Sequence, residues 1–209
     1  MAHRVRTVAV IAAVVGGAAA LGRARELRAE RSRQGRSRGP VEASHPPRAM
    51  VRAVNPFMRW LLSSPGRAGR AEGELMLLHV TGRRTGRTYD IPIGYHRGTD
   101  GRLVVVTDAP WRLNLRDLPD VEVTLRGVRR PARAELVEDP GATADDYLSR
   151  IDRSRPRASA RRAGLRLSED RVPTREELVD VARREHLCTI QLAVADADAA
   201  DAADASAAA

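Results

Sequence analysis

The stretch Leu75-Met-Leu-Leu-His-Val-Thr-Gly-Arg-Arg-Thr-Gly-Arg-Thr-Tyr-Asp-Ile-Pro-Ile-Gly-Tyr95 decides the fold. Two apolar runs flank the connector Gly82-Arg83-Arg84-Thr85-Gly86-Arg87-Thr88. Leu75, Leu77 and Leu78 lead into Val80, and Tyr89, Ile91, Ile93 and Tyr95 alternate with Asp90, Pro92 and Gly94, the period of a strand. Glycines at both ends of the connector permit positive φ, so the chain is expected to double back there. The connector carries three guanidiniums and two hydroxyls. Such a turn can hold a phosphate bidentately. It can equally be a well-solvated hairpin tip, and the residues alone leave both readings open.

Downstream the strand signals continue. Gly98-Thr99-Asp100-Gly101 reads as a turn, Arg102 to Thr107 as a buried strand, and Asp108-Ala109-Pro110 as its break. Trp111 to Leu118 is expected to be a short helix or turn. Val121–Leu125 and Val128–Val137 are strands joined by a tight turn at Arg126-Gly127. The connection lengths predict a five-strand antiparallel meander. Thr143 opens a capped helix, and Thr174 with Glu177 forms a capping box for another through about Glu185. His186 to Val194 is a last strand that closes the sheet. Upstream, Arg48 to Leu62 has helical periodicity interrupted at Asn55-Pro56, with Pro56 as the first position of a second helix capped by Asn55. Phe57 and Trp60 are then core aromatics or a cap over a substrate. The class is mainly β with flanking helices (α+β), a small or partly open barrel.

The 209 residues suit one domain plus extensions. Six aromatics are too few to dominate a core, so Val, Leu, Ile and Ala must carry it. All 36 basic residues are arginine. Residues 1–70 hold 14 arginines against three glutamates, while the remainder is close to neutral. The excess lies in an extension without aromatic interleaving, which favours a membrane surface over nucleic acid as its partner. Residues 1–22 include an apolar run, Thr7 to Gly22, roughly 24 Å long as a helix. That run reads as an anchor, a secretory signal or a loose N-terminus. Seven arginines between Arg23 and Arg38 favour an anchor with the domain on the cytoplasmic side of the membrane. Residues 23–48 are a basic linker, 49–194 the folded domain, and 195–209 an Ala/Asp tail expected to be disordered. Cys188, the one cysteine, sits in an apolar run and reads as a buried structural thiol. The histidines show no ligand spacing, so no metal is expected.

Asn55-Pro-Phe-Met-Arg, the run from Leu77 to Tyr89, Ile91-Pro-Ile-Gly-Tyr, Trp111 with Asn114-Leu115, and Val121-Glu-Val-Thr-Leu together resemble the actinobacterial deazaflavin-dependent nitroreductase family. The resemblance covers about residues 50–138 and implies a split β-barrel of the flavin/deazaflavin-binding type. It implies coenzyme F420 as cofactor, with FMN the alternative, and hydride transfer to a small-molecule acceptor such as a quinone or nitroaromatic. It assigns Arg83, Arg84, Thr85, Gly86 and Arg87 to the coenzyme's phosphate, and places Pro92, Ile93 and Gly94 on the strand under the ring. Trp111 and Asn114 would line the same cleft, although a capping Trp and a helix-turn Asn are ordinary alternatives. Tyr95, His96 or Tyr147 would protonate the reduced acceptor, unless Tyr95 is core. Members commonly pair as homodimers. The link Thr107-Asp108-Ala109-Pro110-Trp111 is shorter than in better-known members, and Asp108 would repel an acidic tail. The shortened link also suits a non-catalytic ligand-binding or scaffold protein on the same barrel.

Overall fold

The computed structural model describes residues 39–44, 48–68 and 74–195. The expected anchor over 1–22, the 23–38 part of the linker and the tail beyond Ala195 lie outside the described residues. In chain order the elements are β1 (Val41–Ala43), α1 (Arg48–Leu62), α2 (Pro65–Ala68), β2 (Leu75–Thr81), β3 (Thr88–Gly94), β4 (His96–Arg97) and β5 (Leu103–Thr107). A 3-10 helix (Pro110–Arg116) precedes β6 (Asp120–Leu125) and β7 (Val128–Val137). Then follow α3 (Pro140–Arg150), α4 (Pro156–Arg162), β8 (Leu165–Leu167), α5 (Arg175–Arg184) and β9 (Cys188–Val194). They form two compact units, Met1–Pro56 with Glu138–Leu187 and Phe57–Val137 with Cys188–Ala209.

The second unit is a seven-stranded antiparallel sheet in the order β3-β2-β6-β7-β9-β5-β4. β3 and β4 lie at opposite edges, yet Tyr95 alone separates them along the chain. Six strand spacings would set the edges of a flat sheet roughly 29 Å apart. A one-residue link spans only about 7 Å. The sheet must therefore curl until its edges approach, giving a half-barrel split where the chain crosses. Its inner face carries Met76, Leu78, Val80, Val123, Ile190 and Leu192, each at most 1 % exposed. Ile91, Ile93, Tyr95 and Trp111 pack against this core, half-buried.

The predicted meander is corrected by this order. β2–β3 and β6–β7 are hairpin neighbours as expected, but β5 pairs with β9, and β9 also pairs with β7. The last strand thus enters the middle of the sheet instead of closing an edge. Short connections favour sequential pairing, but they carry no information about a strand arriving from fifty residues downstream. The tight turn is as read: Arg126 (φ 50°) and Gly127 (φ 81°) both take positive φ, the twist a two-residue hairpin loop needs.

α1 runs unbroken through Pro56, so the second helix capped by Asn55 is not formed. Pro56 is exposed, and water can meet the carbonyl it leaves without an intrahelical donor. Phe57 and Trp60, expected in the core or over a substrate, are on the outside of this helix, while Leu61 and Leu62 are buried.

In the first unit, β1 pairs with β8, so Val41–Ala43 belongs to the fold and not to the linker. Three residues are too few for a periodic signal. Asp139, not Thr143, caps α3: its carboxylate accepts from the amides of Gly141 and Ala142, with Pro140 at the first helical position. Thr143 is buried one turn in. The Thr174–Glu177 capping box on α5 is present as read. Arg175 forks onto Asp145 at 2.6 and 3.0 Å, tying α5 to α3. Ala144, Leu178 and Val181 form the apolar interior with Tyr147.

Candidate active site

The Gly82–Arg87 turn is folded by its own backbone. The Gly82 amide donates to the Arg87 carbonyl at 2.8 Å, and the Gly86 and Thr85 amides donate to the Gly82 carbonyl at 2.8 and 3.2 Å. Gly86 takes φ 65°, whereas Gly82 is required for closeness: a Cβ there would lie 2.9 Å from the Thr85 hydroxyl and 3.0 Å from the Tyr89 ring. The Arg87 amide reaches the Thr85 Oγ1 at 3.3 Å. With the backbone groups turned inward, the side chains of Arg83, Arg84, Thr85 and Arg87 are all exposed.

The 3-10 helix docks onto this turn. Asn114 accepts from the Arg83 amide through Oδ1 at 3.1 Å and donates through Nδ2 to the Trp111 carbonyl at 2.9 Å. One side chain thus links the turn to the tryptophan. Asp117, one 3-10 turn after Asn114, lies 3.5 Å from the Arg83 guanidinium. Side chains three apart eclipse on a 3-10 helix, a signal available in the sequence once Trp111–Leu118 is read as a short helix. Arg83, Arg84, Asp117 and Leu118 line an open depression of about 420 Å³. Among the described residues none bonds to the Arg84 guanidinium or pairs with it. The Arg87 guanidinium lies 5.8 Å from the centre of the Tyr89 ring.

Arg83, Arg84, Trp111 and Asn114 are therefore brought together, with Thr85, Gly86 and Arg87 on the same turn. Pro92, Ile93 and Gly94 lie farther along β3, about 13–20 Å from Thr88 by strand rise. The pleat splits them. Pro92 shares the parity of Asp90 and Gly94, opposite Leu77 in the register, while Ile93 packs inward against the core. A flat group on one face would meet Pro92 and Gly94 but not the Ile93 side chain. β3 is an edge strand, the place where a proline costs no ladder bond. Tyr95 and His96 occupy the crossing between the sheet edges, both half-buried. Tyr147 is in the other unit, 3 % exposed, with the Arg150 guanidinium 5.0 Å from its ring centre.

His79 is a polar residue of this region that sequence reasoning missed. Its Nδ1 meets Asp90 Oδ1 at 2.6 Å and its Nε2 meets Thr124 Oγ1 at 2.7 Å, a polar crosslink over β3, β2 and β6. A histidine inside an apolar strand shows its partners only when the register is known. Beside it Glu122 pairs with Arg129, whose hydrogen bond holds the Glu122 carboxyl below its usual range. Cys188 is buried as expected, its thiol 3.3 Å from the Thr107 carbonyl.

The F420H(2)-dependent quinone reductase family model matches residues 54–165, more than half of the chain and the whole segment that carries this site. The chain belongs to that family. As a member it is an oxidoreductase that uses coenzyme F420. A search of curated proteins finds no match. Among solved structures, it is similar to a conserved hypothetical protein from Mycobacterium tuberculosis, with 18 % identity over 59 % of this chain and 74 % of that one, at TM-score 0.38. An FMN-binding, pyridoxamine 5'-phosphate oxidase-related protein from Nostoc punctiforme is 12 % identical over 68 % of this chain and 79 % of its own, at TM-score 0.38. A protein described as an F420 reductase is 15 % identical over 66 % of this chain and 92 % of its own, at TM-score 0.35.

The donor set fits the family's coenzyme at its anionic end. A phosphate needs charge-assisted donors in a fixed arrangement, and the turn presents exposed guanidiniums on a backbone that is already hydrogen-bonded.

Proposed function

We propose that this reductase delivers hydride to a quinone- or nitroaromatic-type acceptor, with the coenzyme's phosphate held at the Gly82–Arg87 turn. When bound, the coenzyme supplies the hydride. The chain's own residues bind, orient and exclude water. Arg84 and Arg87 neutralise the phosphate, and Arg83, steadied by Asp117, completes the cradle. Thr85 can donate its hydroxyl while its oxygen receives the Arg87 amide. Trp111, packed against the sheet core and tied to the turn through Asn114, steadies the turn. Pro92 and Gly94 offer a surface with no donor at one position and no side chain at the other, which suits a flat ring. Tyr95 or His96, at the crossing, holds the proton for the reduced acceptor; Tyr147, enclosed in the helical unit, suits that role less. The observation that carries this reading is the Asn114 link between the arginine turn and Trp111. Residues 7–22 hold the protein at the cytoplasmic side of the membrane, where a lipid-soluble acceptor is available. Pairing of two copies belongs to the same reading and is checked by light scattering.

Purified protein is titrated with coenzyme F420 by absorbance, with FMN in parallel, and then supplied with menadione. Binding of the deazaflavin and menadione turnover are expected. An Arg83→Ala/Arg84→Ala/Arg87→Ala variant is expected to bind at least about tenfold more weakly. A wild-type protein that binds neither coenzyme and shows no turnover overturns the proposal.

A further inference from the structure

α1 carries two apolar stripes. Val54, Met58, Leu61 and Leu62, at i, i+4, i+7 and i+8, run down to the buried end, where Leu61 and Leu62 are enclosed. Ala53, Pro56, Phe57 and Trp60 stand at i, i+3, i+4 and i+7, and all four are exposed. Phe57 is 44 % and Trp60 54 % exposed, large values for the two bulkiest side chains of the helix. Their rings touch, centroids 5.8 Å apart at 32°. The Arg67 guanidinium sits 4.7 Å from the Trp60 ring centre and donates to the Trp60 carbonyl at 2.9 Å. Arg59 fixes the other side of the helix through its bond to the Asp90 carbonyl at 2.8 Å. The helix is thus held from within while an aromatic stripe is presented outward.

Charge decides what meets that stripe. α1 and α2 together hold four arginines and no carboxylate. A protein partner of mixed charge gains nothing special from such a surface, whereas an anionic bilayer matches both halves of it. Aromatic rings enter the headgroup–acyl boundary, and arginines remain at the phosphate level. The geometry points to the outer stripe of α1, centred on Phe57 and Trp60 and flanked by Arg67, as a docking surface for an anionic lipid bilayer. This contact is separate from any insertion of residues 7–22, and it does not depend on the coenzyme assignment. It would lay the α1 side of the sheet unit against the lipid surface.

The test uses the full chain. Trp111→Phe leaves Trp60 as the sole tryptophan. Its emission is followed with vesicles of phosphatidylglycerol and phosphatidylcholine, with phosphatidylcholine alone, and with bromine-labelled acyl chains. A blue shift on the anionic vesicles with quenching by the labelled chains is expected, together with weaker response on phosphatidylcholine alone. Phe57→Ser/Trp60→Ser in the otherwise natural chain is expected to lower vesicle partitioning about tenfold. Three results overturn the proposal. The first is vesicle binding with unchanged Trp60 emission, which leaves the N-terminal run as the sole contact. The second is a blue shift on concentrating the protein without lipid, which makes the occupant a second copy. The third is equal response on both vesicle types, which removes the role of charge.

Discussion

Asn114→Ala isolates the link on which the site rests. The substitution removes the acceptor for the Arg83 amide (3.1 Å) and the donor to the Trp111 carbonyl (2.9 Å). Each bond contributes about 0.5–1.5 kcal/mol net. Arg83 is exposed, so water replaces part of what is lost, and the effect belongs near the low end, about 1 kcal/mol for the turn. A turn that is no longer ordered in the free protein must be ordered on binding, so the loss appears as weaker coenzyme affinity, roughly fivefold. Thr85→Ala removes a phosphate donor along with one 3.3 Å contact within the turn and is expected to weaken binding as well. The assay is an absorbance titration with coenzyme F420, with the thermal midpoint of each variant recorded to separate site from fold. If Asn114→Ala binds within twofold of the natural protein, the 3-10 helix does not order the turn and the reasoning fails.

Three further perturbations probe the scaffold. Gly127→Ala puts a Cβ at φ 81°, 2.1 Å from the backbone of Ser64 and Pro65. Left-handed strain and overpacking together predict about 2–5 kcal/mol lost in chemical denaturation, and a value under about 1 would refute the close approach. His79→Leu leaves the buried Thr124 hydroxyl without its partner and should cost about 1–3 kcal/mol, measured the same way; an unchanged midpoint would show that the crosslink is idle. Glu177 has its carboxyl held below its ordinary value near 4.5, first by Arg171 and then by the Thr174 amide. A depressed carboxyl stabilises the fold above its unfolded value, and that contribution is lost as pH falls through the folded value. Glu177→Gln should therefore lower stability by a constant amount above pH 4.5, and its difference from the natural chain should shrink as pH falls below that value.

Local chemistry was legible from the residues. The Leu75–Tyr95 strand pair, the Arg126-Gly127 turn, the capping box at Thr174 and the buried Cys188 each follow from a pattern contained in a few neighbouring positions. The arginine turn was legible as a candidate, whereas the bond from the Arg83 amide to Asn114, thirty-one residues on, is contained in no local pattern. Long-range facts were not legible. No periodicity says that β9 enters between β7 and β5, or that Val41–Ala43 finds Leu165–Leu167. Pro56 misled because a proline normally marks a helix boundary, and here an exposed position tolerates it. Phe57 and Trp60 misled because aromatic bulk is normally buried, and α1 has a second apolar stripe with nothing of this chain over it among the described residues.

The placement of β9 has a bearing on synthesis. While the ribosome is still translating the helices that precede residue 188, β7 and β5 each lack a neighbour, and no strand yet bridges them in the sheet. The nascent chain carries two unsatisfied ladders until β9 emerges, a state prone to intermolecular pairing. Heat-shock chaperones that shield extended segments should therefore raise the soluble yield of this protein, and a premature stop before Cys188 should direct it to inclusion bodies.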